Sequence, residues 1–194
     1  KKDIEHCVDG FVDVHSYSLD AFCNRGLPSF SGVLIDSLDV NIDSYDLDVV
    51  ISIFDAGYLP DIVSIEINEK IPPPIYFKVL YDKDHFWKED HFYGCSITAA
   101  ETEFSKEGYL LADLKVNNAI FINKSVFPNA KPVDTLTAYN DGYLNIPNRK
   151  NLFKYNHDVE ILLSLSNSDK IKFLDNLFSK YKDIYELKVL ENNE

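Results

Sequence analysis

Residues 159–190 read VEILLSLSNSDKIKFLDNLFSKYKDIYELKVL, and this stretch decides the fold that the sequence predicts. Its first part, 159–165, is an apolar run typical of a buried strand, and its last part, 185–190, alternates apolar and polar side chains. Between them Ser168 can cap a helix over residues 169–182. The apolar side chains that recur there at helical spacing are Ile171, Leu174, Phe178 and Tyr181. The chain is therefore predicted to end in a strand-helix-strand unit whose helix packs on one sheet face.

The first half of the chain predicts short strands separated by turns. β-branched residues are frequent at 32–42 (GVLIDSLDVNI) and 46–54 (DLDVVISIF), and 62–67 (IVSIEI) alternates in part. In the second of these segments Asp46 and Asp48 alternate with apolar residues, which is the pattern of a strand with one solvated face. We therefore expect a β-meander whose acidic side chains line one surface.

The middle of the chain combines breakers with further strands. Three consecutive prolines at 72–74 cannot lie inside a sheet, so they are expected to form an extended connector before the apolar run 75–81. Residues 109–116 and 119–122 predict a hairpin with the intervening asparagine pair at the turn. Residues 134–151 are rich in Asn, Pro and Gly and predict a loop.

Together these segments predict an α+β fold: a mainly antiparallel, mixed β-sheet with few helices. A length of 194 residues with 45% apolar content allows a substantial core. We expect a single domain over residues 1–194, with an acidic, β-rich part at 1–70 and a near-neutral α/β part at 75–194. The alternative is that the proline run separates two domains.

The charge distribution is strongly asymmetric. Residues 26–69 contain no Lys or Arg, and residues 1–69 carry a net charge of −11 out of −13 for the whole chain. Such a field attracts positively charged partners and accelerates their association at low salt. The nine carboxylates of the basic-free segment are Asp36, Asp39, Asp43, Asp46, Asp48, Asp55, Asp61, Glu66 and Glu69. The first six of them, together with Trp87, are the predicted contacts to a basic protein partner.

A second cluster combines aromatic side chains with possible metal ligands. Its polar members are Asp82, Asp84, His85, Glu89, Asp90 and His91, and its aromatic members are Phe86, Trp87, Phe92 and Tyr93. On a helix, His85 and Glu89 would be neighbours able to share a metal, although the H-E-x-x-H order is absent. The competing interpretation is an aromatic-anchored loop or short helix with its charges in solvent. In a functional variant of this interpretation, the aromatic side chains beside the acids bind a basic partner.

Other chemistry is not indicated by the sequence. Cys7, Cys23 and Cys95 are odd in number and irregularly spaced, which argues against disulfides or a zinc site and favours a cytoplasmic protein. Pairs of Cys23 with His15, and of Cys95 with His91, are only weak candidates for a nucleophile and its base. Nucleotide-binding motifs and long apolar segments are missing, and a pI near 4.7 disfavours direct nucleic-acid binding. We expect no cofactor, no bound metal, no catalytic residue and no membrane association.

A small, acidic, aromatic-rich α+β chain without catalytic motifs has the general character of immunity proteins, which neutralise bacterial toxins by binding them. Seventeen Lys against two Arg, with sixteen Asn, fit an AT-rich bacterial or phage genome. The leading hypothesis is therefore an inhibitor of a toxin with a basic nuclease domain. The alternatives are a phage-encoded mimic of DNA that inhibits a host nuclease, and a small metal-dependent enzyme that uses the His85 to His91 region.

Overall fold

The computed structural model describes residues 11–14 and 37–190. In this part of the chain seven strands form two sheets. The strands are β1 (Phe11–Val14), β2 (Ser37–Val40), β3 (Ile62–Glu66), β4 (Ile75–Val79), β5 (Tyr109–Lys115), β6 (Asn118–Asn123) and β7 (Tyr185–Val189). A five-stranded sheet has the order β1-β2-β3-β6-β5, and β4 pairs with β7 in a second sheet.

The five-stranded sheet mixes parallel and antiparallel pairs. β1, β2 and β3 run parallel to one another, whereas β6 is antiparallel to both β3 and β5. The pair of β4 and β7 is also antiparallel. The predicted α+β fold with a mixed, mainly antiparallel sheet is therefore confirmed.

Short helices connect the strands. The α-helices in the described residues are α1 (Asp46–Asp55), α2 (Ile97–Lys106), α3 (Thr135–Tyr139), α4 (Arg149–Leu152) and α5 (Asn167–Leu177). A π-helical turn follows α3 at Asn140–Leu144, and 3₁₀ turns lie at Lys154–Asn156, Glu160–Leu163 and Ser179–Tyr181. None of the helices in this part of the chain has the length and apolar character required to cross a bilayer.

The main core lies between the five-stranded sheet and the helices α1 and α2. Leu38 on β2, Val63 on β3 and Phe121 on β6 are neighbours in the sheet, and all three are buried. Phe54 at the end of α1 stacks on Tyr109 with ring centroids 4.8 Å apart. Apolar side chains from before and after the proline run belong to this core, which is the dominant stabilising contribution of the fold.

The segment 46–54 is a helix, so the predicted strand is wrong. β2 and β3 are parallel, and a parallel pair needs a connection that crosses back over the sheet. Helix α1 provides that crossover and buries Leu47, Val50 and Phe54, which are three and four residues apart. Asp46 and Asp48 alternate with apolar residues over too few positions to distinguish a strand from the first turn of a helix.

The C-terminal prediction holds in outline. After β6 only helical segments precede β7, and β7 pairs with β4 as a sheet strand. The central helix was predicted at 169–182 with Ser168 as its cap, but it begins at Asn167 and ends at Leu177. Its cap is Ser166, whose hydroxyl accepts from the backbone N–H of Asp169. The first strand was predicted at 159–165, but the chain forms a 3₁₀ turn there. Only Leu162 of that turn is buried, because the turn lies at the surface with no strand beside it.

The remaining predictions are local ones. The hairpin of β5 and β6 is confirmed, and so are β3 and the strand after the proline run. The strand predicted at 32–42 is present as β2, within the described residues from 37 onward. Residues 134–151 were predicted to be a loop but contain α3, the π turn and α4. Asp134 caps α3 by accepting from the N–H of Thr137, so a short helix forms without a long apolar repeat.

Candidate functional site

An aromatic loop, defined as residues 82–91, projects from the fold between β4 and Gly94. It contains no helix or strand. Its backbone is nevertheless fixed: the N–H of His85 donates to the carbonyl of Asp82 at 3.0 Å, and the N–H of Phe92 donates to Oδ1 of Asp90 at 2.9 Å. At its end, Gly94 accepts from the N–H of Val79 at 3.0 Å. The loop is therefore an ordered element that presents its side chains at defined positions.

Two large aromatic side chains of this loop face solvent. Phe86 is 67% exposed and Trp87 is 39% exposed. Trp87 is held in place, because its Nε1 donates to the carbonyl of Asp90 at 2.9 Å and its ring lies 6.0 Å from that of Tyr93. Exposed aromatic side chains that are already oriented can bind a partner at little entropic cost.

Carboxylates surround the exposed pair. Asp84 and Glu89 are exposed, and neither forms a salt bridge with any described residue. Asp90 is engaged instead with the C-terminal part of the chain, through Oδ2, which accepts from Tyr181 Oη at 2.5 Å and from Lys180 Nζ at 2.9 Å. Burial alone would raise the pKa of Asp90, but these hydrogen bonds lower it below its usual value. The loop thus combines aromatic surface with carboxylates free to meet a cation.

The side chain of His85 packs the loop against the rest of the fold. Its ring is buried and lies edge-to-face against Phe92 and Tyr181. Burial lowers the pKa of His85, and the nearby Lys88 ammonium lowers it further. Glu89 has a positive φ of 58°, which is not the backbone conformation of a residue inside an α-helix. The helical arrangement in which His85 and Glu89 would share a metal is therefore wrong.

A buried polar network lies beside the loop and is centred on Glu69, which is 2% exposed. Its Oε2 accepts from Tyr93 Oη at 2.7 Å, and its Oε1 accepts from Asn156 Nδ2 at 2.7 Å and from Lys70 Nζ at 3.3 Å. The carbonyl of Glu69 accepts from Tyr139 Oη at 2.7 Å. This single residue therefore connects the segment after β3 to Tyr93, which follows the aromatic loop, to α3 and to the segment after α4.

The network continues into the C-terminal half of the chain. Tyr143 Oη accepts from Asn156 Nδ2 at 3.1 Å and from Arg149 at 3.2 Å. Arg149 also donates to both oxygens of Glu160, which lowers the pKa of that carboxyl. A small cleft at this point is lined by Lys70, Tyr143, Asn156, Glu160 and others, but its polar groups are already bonded to one another. We regard it as structural.

The predicted acidic contacts that the structure describes do not form one row. Asp36 lies outside the described residues. Asp39 is half-buried on β2, Asp46 is buried, and Asp55 is exposed at the other end of α1. Asp48 is bound to Lys78 at 3.3 Å and accepts from the N–H of Tyr81 at 2.9 Å. The expectation that Asp46 and Asp48 line one surface of a strand is wrong, because both lie in the first turn of α1.

Asp46 has an internal role that its charge alone did not indicate. Its two oxygens accept from the backbone N–H groups of Ile42 at 2.8 Å and Ser44 at 3.0 Å. Burial raises the pKa of Asp46 to about 6, although these hydrogen bonds oppose the shift. Asp46 therefore fixes the turn between β2 and α1.

Asp43 forms a carboxyl pair with Glu66 at the end of β3. Burial, followed by the charges of Asp43, Asp46 and Glu69, raises the pKa of Glu66 to about 8. Asn117 donates to Oε1 of Glu66, while Oε2 is buried and has no donor as long as both carboxyls are ionised. A proton on Glu66 supplies that donor and satisfies both groups, so Glu66 is protonated at neutral pH.

The remaining candidates from the sequence are placed as follows. Among residues 11–14 and 37–190, no three His, Cys, Asp or Glu side chains are arranged to hold a metal ion. Cys95 is buried, and burial raises the pKa of its thiol well above the usual value, which disfavours the thiolate. His91 bonds to Asp158 at 3.1 Å. The pair of Cys23 and His15 lies outside the described residues.

Comparison with protein-family models finds no family that matches this chain. No solved structure gives a significant match either.

Proposed function

We propose that this protein is a cytoplasmic immunity protein that neutralises a bacterial toxin by binding its basic nuclease domain. The observation that supports this most directly is the aromatic loop, where Phe86 and Trp87 are exposed and Trp87 is held by hydrogen bonding. Aromatic side chains at the centre of an interface commonly contribute most of the binding energy.

The charges of the protein fit a basic partner. The net charge of −13 is concentrated in residues 1–69, and Asp84 and Glu89, beside the exposed aromatic pair, form no salt bridge with any residue that the structure describes. Long-range attraction then increases the association rate, while the desolvated aromatic contacts slow dissociation.

The structure favours an aromatic-centred contact over a mimic of the DNA backbone. A mimic needs carboxylates in a regular row that replaces phosphates. Asp46 is buried and Asp48 is paired with Lys78. Asp55 lies about 14 Å from Asp46 along the axis of α1. Of the predicted acidic contacts on α1, Asp55 alone is exposed and free to contribute to an interface.

The test is affinity capture from the native lysate with tagged protein, followed by mass spectrometry of the bound proteins. We expect one basic, nuclease-like partner in near-equal amount with the unchanged protein, and at least a hundredfold weaker binding with the double variant Phe86→Ala, Trp87→Ala. Leu59→Ala is the matched control, because Leu59 is 48% exposed but precedes β3, at the end of the sheet opposite the aromatic loop.

The captured pair then tests the electrostatic part. Replacing Asp84 and Glu89 by Lys should slow association, and more so at low salt, whereas Glu107→Lys at the opposite end of the sheet should have a smaller effect. A partner that binds the aromatic double variant as tightly as the unchanged protein would rule out this surface. A captured partner without toxin activity, or one whose activity persists in the complex, would rule out the immunity function.

A further inference from the structure

His85 connects the aromatic loop to the C-terminal part of the chain. Its ring centroid lies 5.4 Å from that of Phe92 and 5.6 Å from that of Tyr181. Phe92 and Tyr181 are stacked on each other at 3.9 Å. Because His85 directly precedes Phe86 and Trp87 in the chain, the packing of its ring contributes to the position of the exposed aromatic pair, together with the bond from Trp87 to the carbonyl of Asp90.

This packing fits a neutral imidazole. The ring is buried, and its Nε2 has no hydrogen-bond partner among the described residues. A second proton on the ring would place a positive charge beside the stacked rings of Phe92 and Tyr181, where no acceptor among the described residues reaches Nε2. Protonation therefore opposes the buried position of His85.

Charged groups from two elements face this ring. Within the loop, the Lys88 ammonium disfavours a charge on the imidazole, whereas the carboxylates of Asp82 and Asp90 favour it. From the last 3₁₀ turn, Tyr181 and Lys180 both bind Asp90, which engages that carboxylate elsewhere. Burial and Lys88 outweigh the two acids, and the pKa of the imidazole lies below its ordinary value.

We propose that His85 is a pH-dependent latch: in its neutral form it holds the aromatic loop against Phe92 and Tyr181, and on protonation it releases the loop. The consequence for binding rests on the proposed function, because a released loop no longer presents Phe86 and Trp87 at fixed positions. The partner is then held at neutral pH and released in acidic surroundings.

The direction of this pH dependence follows from the different proton affinities of the docked and the released His85 ring. In the released loop the imidazole binds a proton with the ordinary pKa of 6.5, whereas the docked ring binds it only at lower pH. The docked loop is therefore fully stable above about pH 6.5 and loses stability as the pH falls through this window to the pKa of the docked ring. Within the window, each pH unit changes the ratio of released to docked loop by up to about tenfold. Asp90 does not titrate there, since its pKa is lowered below 3.8.

Trp87 is the only tryptophan of the chain and lies two residues after His85, so its fluorescence reports the loop without any partner. We expect the emission of the free protein to change reversibly between about pH 7.5 and pH 5, with a midpoint below 6.5 and an unchanged far-UV circular dichroism spectrum. His85→Phe keeps an aromatic ring in the site but cannot take up a proton, so its emission should not change over this range.

His91 is the matched control, because it lies on the same loop and its imidazole bonds to Asp158. His91→Asn removes that imidazole and leaves His85 with Phe92 and Tyr181, so this variant should retain the emission change. The same emission change in His85→Phe as in the unchanged protein overturns the latch. If His85→Phe does not fold, NMR of the ring nitrogens of the unchanged protein tests the same proposal. A His85 ring that takes up its proton at or above pH 6.5 would overturn the latch.

Partner binding separates the latch from the proposed function. An emission change that depends on His85, together with partner binding that does not need Phe86 and Trp87, supports the latch and overturns the role of the loop in binding. Loop-dependent binding with an emission that does not respond to pH overturns the latch and supports the binding role.

Discussion

The carboxyl pair of Asp43 and Glu66 makes the stability of this protein depend on pH in a direction unusual for an acidic side chain. In the unfolded chain Glu66 ionises at its ordinary pKa of 4.5, whereas in the folded protein its pKa is about 8. Between these values the folded state binds more protons than the unfolded state. The free energy of unfolding therefore falls as the pH rises from about 4.5 through 8.

The size of this change in the free energy of unfolding follows from the two pKa values of Glu66. The difference between a pKa of about 8 and one of 4.5 corresponds to about 5 kcal/mol at full strength. Because Glu66 is partly exposed, solvent screens part of this interaction, and we expect on the order of 3 kcal/mol. Burial of the carboxyl is the main source of this cost, followed by Coulombic repulsion from Asp43, Asp46 and Glu69.

Glu66→Gln removes the ionisation and keeps the hydrogen bonds. The amide oxygen can still accept from Asn117, and the amide nitrogen can donate to Asp43 in place of the shared proton. We expect the variant and the unchanged protein to have similar stability near pH 5. Near pH 9 the variant should be more stable by on the order of 3 kcal/mol.

The assay is urea unfolding followed by circular dichroism at several pH values from about 5 to 9. Glu107→Gln serves as control, because Glu107 is exposed on the turn after α2. Asp43→Asn should lower the pKa of Glu66 in the folded protein, so that the loss of stability is smaller and is complete at a lower pH. Asn tolerates the positive φ of 55° at this position. If the free energies of unfolding of the unchanged protein and of Glu66→Gln differ by the same amount at every pH from 5 to 9, the raised pKa of Glu66 in the folded protein is refuted.

Three further substitutions test the internal contacts, each by the free energy of unfolding in urea near pH 7. Asp46→Ala leaves the N–H groups of Ile42 and Ser44 without their acceptor and should cost about 2 to 4 kcal/mol, with Asp46→Asn costing less; a loss below about 0.5 kcal/mol would contradict this role. Glu69→Ala removes the partner of the buried Lys70 and should cost about 3 to 5 kcal/mol, whereas Glu69→Gln, which keeps one acceptor, should cost less. Gly142→Ala would place a methyl group against the carbonyl oxygen of Leu114 and should cost about 1 to 3 kcal/mol. The comparison is Gly57→Ala, whose methyl group meets no atom within 4 Å, so that only the backbone strain from its φ of +87° remains.

The parts of the fold that the sequence predicted correctly are those specified by neighbouring residues. The hairpin of β5 and β6 needs only two alternating segments and a short turn, and α5 needs a Ser cap and an apolar repeat. The crossover through α1 was missed because its direction depends on the parallel pairing of β2 and β3, which brings together residues about 25 positions apart. No local pattern in DLDVVISIF records that pairing.

The candidate site shows the same division. The aromatic loop was predicted because its residues are contiguous in the sequence, and Trp87 could be selected by its residue type alone. The network around Glu69 was missed, because its partners Tyr93, Tyr139 and Asn156 come from segments 24 to 87 positions away. A signal was present in the polar residues that directly follow β3, since the carboxyl ends of parallel strands often carry functional or structural polar groups.

The absence of Lys and Arg from residues 26–69 has a structural component that the sequence could not separate from a functional one. Asp46 is stabilised by backbone N–H groups, and Glu69 by tyrosine and asparagine in addition to Lys70. Neutral donors satisfy the hydrogen bonds of a carboxylate but leave most of its charge uncompensated. The charge that raises the pKa of Glu66 therefore also contributes to the negative potential of the surface. Any basic partner that approaches this end of the sheet lowers the energy of ionised Glu66, so the internal strain of the carboxyl pair and the attraction for a cation have the same physical origin.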